Sequence, residues 1–296
     1  MFITDYVAEK FIIYESMIIF DKRVSIEEEI RKLKKDGKSI GFVPTMGALH
    51  QGHLELVKRC KQENDITVTS IFVNPIQFNN KNDLEHYPRD LENDTRKLEE
   101  TGCDFLFHPD VKEIYPENNV EKYDLDGLDT IMEGKFRPGH FQGVVAVVKR
   151  FFDIIAPHNV YFGEKDFQQL TIIKHVFRKL MPHISVISCP TIREKDGLAM
   201  SSRNLRLSEE LRKKVPVIYQ SLLECRQDTF KYTFNGIKEK IIGNINNISD
   251  LEVEYFEIVN MEDLRLLNNW TDKCTMVACI AVWAGNVRLI DNIKLN

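Results

Sequence analysis

From residue 17 to about 193, short apolar runs alternate with longer stretches whose apolar residues recur every three or four positions. The first pattern is that of buried strands and the second that of amphipathic helices. Strands are predicted at Met17–Phe20, Ser39–Pro44, 65–73 ("DITVTSIFV"), 103–109 ("CDFLFHP"), 159–163 ("NVYFG") and 185–193 ("SVISCPTIR"). Helices are predicted between them, at Ser25–Asp36, Gly52–Gln62, 90–102, 141–155 and 167–181. Ser25 is the expected N-cap of the first helix, with Glu28 completing a capping box and Gly37 stopping it. Strands that alternate with crossover helices specify an α/β fold built on a parallel sheet. After about residue 197 the order changes. Two helices (about 208–228 and 234–244) precede strand-like runs at 251–259, 274–283 and 286–290, which reads as a smaller α+β domain. The expected division is an N-terminal extension over 1–16, a first domain over 17–193 and a C-terminal domain over 194–296.

Composition narrows the classes without naming one. The chain has 296 residues, enough for one large or two moderate cores. Its formal net charge of -5 supplies no overall basic field, so nucleic acid is not an expected partner. No apolar run approaches the ~20 residues of a membrane span, and residues 1–16 are too broken by charge for a signal peptide. Six scattered cysteines form no CxxC pair, as expected of reduced thiols in a cytoplasmic protein.

Candidate chemistry concentrates at the junctions. "TMGALHQGH" (45–53) follows a strand and opens a helix, where unpaired N–H groups attract phosphate. Gly47 would let the backbone approach a ligand, and Gly52 would leave room for one. His50 and His53 stand three apart and can project on one side of the first turn; near physiological pH an imidazole can donate to phosphate and take up charge. A metal site would need further ligands, which the spacing does not offer. The Walker and dinucleotide-binding glycine patterns are absent, leaving an HxGH nucleotide site. "FVNPIQF" (72–78) ends a strand in a turn, and Gln77 is either a turn residue or a ligand for hydroxyl and carboxylate groups. "YFGEKDFQQL" (161–170) places Glu164, Lys165 and Asp166 at the carboxyl end of a strand, the edge where parallel sheets bind ligands. "KDGLAMSSRN" (195–204) is either a polar linker or a loop whose serines and Arg203 meet phosphate. "EGKFRPGHFQGV" (133–144) sets Arg137 and His140 among glycines, either to bring a cation to an anionic substrate or simply to turn the chain.

Taken in order, these five stretches resemble the pantothenate synthetase (pantoate–β-alanine ligase) family over residues 17–296. The resemblance implies a Rossmann-like parallel sheet flanked by helices, with a small α+β C-terminal lid domain. It implies ATP-dependent joining of pantoate and β-alanine through a pantoyl adenylate, with Mg²⁺, in a cytoplasmic homodimer that engages neither nucleic acid nor membrane. It also implies roles. His53 is the proton donor, His50 contacts phosphate, and Lys165 shares the catalytic work. Met46, Gly47, Ala48, Leu49, Gln51 and Gly52 line the ATP site with them. Gly163, Glu164, Asp166, Ile192, Met200, Ser201, Ser202 and Arg203 complete it. Gln77 and Gln169 bind pantoate, and Gln77 also meets β-alanine. Asp94 is expected to orient the metal's waters; the direct metal ligands are not specified. A related HxGH nucleotidyltransferase that makes dinucleotides would lack the GEKDxQQ stretch present here.

Overall fold

The computed structural model describes residues 17–117, 121–270 and 273–296. The extension expected at 1–16 lies outside the described residues. The first part of the chain runs β1 (Ile18–Phe20), α1 (Arg23–Lys35), β2 (Ile40–Thr45), α2 (Gln51–Glu63), β3 (Ile66–Ile71), α3 (Lys81–Glu85), α4 (Leu91–Glu100), β4 (Phe105–Phe107), α5 (Val111–Ile114), α6 (Met132–Phe136), α7 (His140–Ile155), β5 (Asn159–Gly163), α8 (Phe167–Leu180) and β6 (Ser185–Cys189). The six strands form one parallel sheet in the order β1-β4-β3-β2-β5-β6. Strand order reverses between β2 and β5, and a crevice therefore opens outside their carboxyl ends.

Both faces of this sheet are covered. Phe42 of β2 joins the cluster under α7 and α8, which includes Phe151, Ile155 and Phe177. Its neighbour Val43 points the other way, into the cluster of Leu56, Val57 and Leu98 from α2 and α4. Successive strand residues face opposite sides, so a two-sided core requires the near-continuous apolar runs seen in the sequence.

The rest of the chain runs α9 (Glu209–Lys214), α10 (Val217–Gln227), α11 (Phe234–Asn246), β7 (Leu251–Asn260), β8 (Met276–Ala284) and β9 (Val287–Lys294). These strands make an antiparallel sheet in the order β7-β8-β9. One face of β8 carries Ala278, Ile280 and Val282 into a core with α10 and α11. The other face gives Val277 and Cys279 to the core of the parallel sheet. The small domain is thus packed onto the large one through its sheet.

Several boundaries differ from expectation for identifiable reasons. Helix α1 starts at Arg23, not Ser25, and its N-cap is Lys22. The carboxylate of Glu113, 90 positions away, accepts from the Arg23 backbone N–H at 3.0 Å. A tertiary contact thereby replaces the local capping box. Strand β6 stops at Cys189, before Pro190, which has no N–H for the ladder. Pro216 separates α9 from α10 where one helix was expected. Strand β9 runs on to Lys294, well past the expected residue 290.

Candidate active site

The loop between β2 and α2 is fixed before any side chain acts. Gly47 and Ala48 both take left-handed backbone angles (φ 80° and 50°). Asp94 of α4 is buried and accepts from the Ala48 N–H and the Leu49 N–H, each at 2.7 Å. One turn later Lys97 donates to the Leu49 carbonyl at 2.6 Å. Helix α4 therefore clamps the loop from both polarities. Each carboxylate oxygen of Asp94 thus holds one backbone N–H and keeps a second lone pair, so the clamp stands beside the role expected for Asp94 at metal waters.

The clamped loop delivers two stacked imidazoles. His50 is the N-cap of α2, and its Nδ1 accepts from the Gly52 N–H at 3.1 Å. His53 Nδ1 accepts in turn from the His50 N–H at 3.4 Å. The ring centroids lie 4.0 Å apart. A Cβ at position 52 would come within 2.8 Å of the His50 ring, so the glycine makes room for the imidazole. Burial, with the charge of Lys165 behind it, lowers the His50 pKa to about 4. Burial, then His50 and Lys165, put His53 well below its usual value. Both rings are therefore neutral at pH 7. Each accepts through Nδ1, so each carries its proton on Nε2. They are neutral hydrogen-bond donors.

The pair lines a cavity of about 220 Å³ at the β2/β5 crevice. The same cavity is lined by Met46, Gly52, Gln77, Gly163, Lys165, Asp166, Gln169, Ile192, Met200, Ser201, Ser202 and Arg203. Segments separated by up to 157 positions in sequence thus meet at one sheet edge. Not every predicted residue joins them. Gln51 points outward and donates to Glu55 at 2.6 Å. Leu49 is buried in the core, and Gly47 and Ala48 serve through their backbone. Glu164 turns away toward Lys294, at 3.6 Å.

The structure separates the two glutamines that open α8. Gln168 is buried, donating to the Leu128 and Ile131 carbonyls and accepting from the Glu133 N–H at 2.9 Å. Gln169 faces the cavity. Gln77 is held in a short 3-10 turn (Pro75–Gln77), where its Oε1 accepts from Asn74 at 3.1 Å. Asn74 also donates to the Gly143 carbonyl at 3.0 Å. A Cβ at position 143 would lie 2.8 Å from the Gln77 backbone, so Gly143 permits α7 to press the Gln77 turn into place.

Two contributors escape sequence reasoning. Asn292 of β9 donates to the carbonyls of Glu164 and Lys165 at 2.9 and 3.0 Å, fixing the loop that carries Lys165. Asp83 of α3 accepts from Arg203 and Arg206, each at 3.0 Å, tying the 202–206 turn to the large domain. Neither has a local motif. A larger groove, of about 910 Å³, lies between α8, the outer strand β6 and β9. It holds neither histidine nor either cavity-facing glutamine, so size does not mark the site here; convergent polar groups do.

A Rossmann-like sheet with an HxGH turn at its switch point defines a nucleotide-binding α/β protein. The comparisons narrow this class. A family profile described as "Pantoate-beta-alanine ligase" matches residues 18–294. The chain is 49% identical over 278 residues to a pantothenate synthetase of Azobacteroides pseudotrichonymphae, covering 94% of this chain and 99% of that one. It is 48% identical to that of Bacteroides fragilis, covering 91% and 95%. The pantothenate synthetase structure from Thermus thermophilus superposes with a TM-score of 0.86 at 39% identity, covering 94% and 99%. The Francisella tularensis pantoate–β-alanine ligase, described as complexed with "Beta-gamma ATP and Beta-alanine", matches with a TM-score of 0.79 at 39% identity, covering 95% and 98%. The chain belongs to the pantoate–β-alanine ligase family.

Proposed function

We propose that the cavity around His50 and His53 is where this ligase performs both halves of its reaction, the ATP-dependent condensation of pantoate with β-alanine. The observation that supports this best is the stacked histidine pair with both Nε2–H groups available at the β2/β5 crevice.

In the first half, the carboxylate oxygen of pantoate attacks the α-phosphorus of ATP in line. A P–O bond forms, the bond to the β-phosphate oxygen breaks, and pyrophosphate leaves with its electron pair. Two anions must approach, so fixed donors and cations have to offset the developing charge. The Nε2–H groups of His50 and His53 donate to phosphate oxygens. Lys165 and Arg203 supply positive charge, and Ser201 and Ser202 supply hydroxyls. Met46, the backbone of Gly47 and Ala48, Gly163 and Asp166 border the nucleotide with Ile192 and Met200. Gln77 and Gln169 fix the pantoate hydroxyl and carboxylate, while Phe72, Val144 and Val147 give its hydrocarbon part an apolar wall.

In the second half, the neutral amine of β-alanine attacks the acyl carbon of the pantoyl adenylate. A C–N bond forms, the acyl C–O bond to AMP breaks, AMP leaves, and the amine gives up a proton. The adenylate is a reactive anhydride, so the 201–206 turn has to keep water from it. Mg²⁺ neutralises phosphate charge when bound. Among the described residues no cluster of three His, Cys, Asp or Glu side chains could cage it. Asp166, the carboxylate that lines the cavity, would help hold such an ion beside the phosphates. The same reading includes a homodimer in the cytoplasm, with no nucleic-acid or membrane partner; among the described residues no helix is long and apolar enough to cross a membrane.

The test is to incubate the protein with ATP, pantoate and β-alanine and to follow AMP and pyrophosphate. Pyrophosphate released only with a nucleotide or phospho-sugar acceptor in place of pantoate, with AMP retained in the adenylylated product, would sink the reading.

A further inference from the structure

Adenylyl transfer as described leaves one cation of the cavity without a task. Arg137 sits in the turn between α6 and α7 and lines both the 220 Å³ cavity and a smaller adjoining one of about 30 Å³. The two cavities share Arg137, His140, Lys165, Asp166 and Gln169. The Arg137 turn is pinned to the Gln77 segment: His140 Nδ1 donates to the Gln77 carbonyl at 2.8 Å, and Asn79 donates to the Pro138 carbonyl. Arg137 is thereby held on the Gln77 side of the cavity, next to the residue expected to meet both carboxylic substrates.

Its guanidinium is poorly satisfied. The carboxylate it touches, Glu133, is taken by others. Arg288 grips Glu133 with two hydrogen bonds of 2.7 and 2.8 Å, and the Tyr255 hydroxyl donates at 2.9 Å. Arg137 reaches Glu133 through one nitrogen at 3.5 Å. A guanidinium has five N–H donors in a planar fork suited to carboxylates, and this contact uses one of them weakly. The side chain is 22% exposed, toward the cavity. Holding a largely desolvated cation with its donors unused is unfavourable, and a bound anion would offset that penalty.

Two of the reaction's anions already have partners. The phosphates face the histidines, Lys165 and Arg203, and the pantoate carboxylate is consumed in forming the adenylate. The carboxylate of β-alanine is different: it stays charged through both halves and reaches the product unchanged. It needs a permanent cation set away from the phosphates. We propose that Arg137 binds the carboxylate of the amine substrate, forming the ω-carboxylate subsite that selects β-alanine over simple amines. The inference rests on reading this cavity as the active site. In this arrangement the Glu133–Arg288 pair is a support: Arg288 on β9 also engages Glu254 of β7, so the small domain braces the α6 end of the Arg137 turn.

The experiment compares wild type with Arg137→Gln and Arg137→Lys in two assays. Pantoate-dependent exchange of pyrophosphate into ATP reports the first half without β-alanine; steady-state pantothenate formation reports the whole. Arg137→Gln is expected to leave exchange within about twofold. It should raise the KM for β-alanine roughly 10- to 150-fold, the scale of a hydrogen bond to a charged group. Arg137→Lys, which keeps the charge and loses the fork, should fall between and serves if the glutamine variant does not fold. Wild type should strongly prefer β-alanine to propylamine, and that preference should collapse in Arg137→Gln. An unchanged KM for β-alanine, or exchange falling as much as the overall rate, overturns the proposal. A wild-type protein that shows no exchange at all instead overturns the assignment of the cavity.

Discussion

The two sides of the cavity are built differently. On the β2 side, the histidine turn is held by hydrogen bonds to backbone atoms: Asp94 to two N–H groups, Lys97 to a carbonyl, and the histidines to each other's turn. On the opposite side, the Ser202–Arg206 turn is tied to the five-residue helix α3 by side-chain ion pairs from Arg203 and Arg206 to Asp83. The Asp94 bonds are buried, and salt screens buried charges little. Partly exposed ion pairs are weak and screened. One side behaves as a floor that positions donors, and the other as a cover that can let nucleotide in and products out.

The comparison is broken most strongly by removing the floor's chemistry. His53→Ala is expected to keep the fold and to lower turnover at least ~100-fold, the scale of one positioned proton-carrying group. Adenylate formation near the wild-type rate in that variant would falsify the placement of His53 in the mechanism. Asp94→Asn tests the clamp. The amide has one acceptor where two backbone N–H groups need one each, so about 1–3 kcal/mol of stability should be lost. Urea unfolding measures this, and a loss under about 0.5 kcal/mol, the usual size of an uninvolved surface change, would show that the clamp is not needed.

Acidification probes the same floor. His50, at about 4, and His140, at about 3, are both held below the ordinary histidine value by burial first, then by Lys165 for His50 and by Arg137 for His140. The unfolded chain therefore binds protons at higher pH than the folded one, and stability falls as pH drops below about 6.5. The contribution is complete above that value and is gone by about pH 4 for His50 and about pH 3 for His140. At pH 5 each histidine should cost up to about 2 kcal/mol relative to pH 7, read from denaturant midpoints. Histidine resonances of these two residues that titrate near pH 6.5 in the folded protein would contradict this. Gln77→Ala is milder. It should raise the KM for pantoate about 10-fold through lost neutral hydrogen bonds and leave that for ATP nearly unchanged; equal losses for both would count against its placement.

How far the site could be read from the chain depended on distance along it. The turn at 45–53 was legible because strand, glycines, histidines and helix are contiguous, and the cavity-lining residues of 163–169 and 200–203 were legible as motifs. What the motifs do not contain is the direction of each side chain. Gln168 and Gln169 look equivalent in sequence, yet helical rotation buries one against the Leu128 and Ile131 carbonyls and turns the other to the cavity. Asn292, Asp94 and Glu113 act on backbone atoms 45 to 128 positions away and leave no local trace. The same range explains the misplaced first helix: Ser25 and Glu28 make a good capping pattern, but a glutamate from α5 holds the helix end instead. The parallel fold itself was legible because alternation of strand and helix periods survives any tertiary detail.

The smallest effect bears on the cover, and its sign carries the information. Burial pushes the Asp83 carboxyl up, and Arg203 and Arg206 reverse this, leaving it below its ordinary range. The pair is partly exposed, so Asp83→Asn should change unfolding free energy by no more than about 1 kcal/mol. Arg203 donates to Asp83 through one nitrogen, at 3.0 Å, while also lining the cavity. Its other donors can meet phosphate without leaving Asp83. Asp83 therefore aims Arg203, and does not compete with ATP for it. Releasing the arginine should raise the KM for ATP by up to about fivefold, an effect the size of one partly exposed ion pair, while the KM values for pantoate and β-alanine stay put. Added salt should weaken ATP binding more in wild type than in Asp83→Asn, since only wild type has the pair to lose. A KM for ATP that falls in the variant would mean that Asp83 holds the arginine away from the nucleotide, and the cover would then be a latch that ATP has to open.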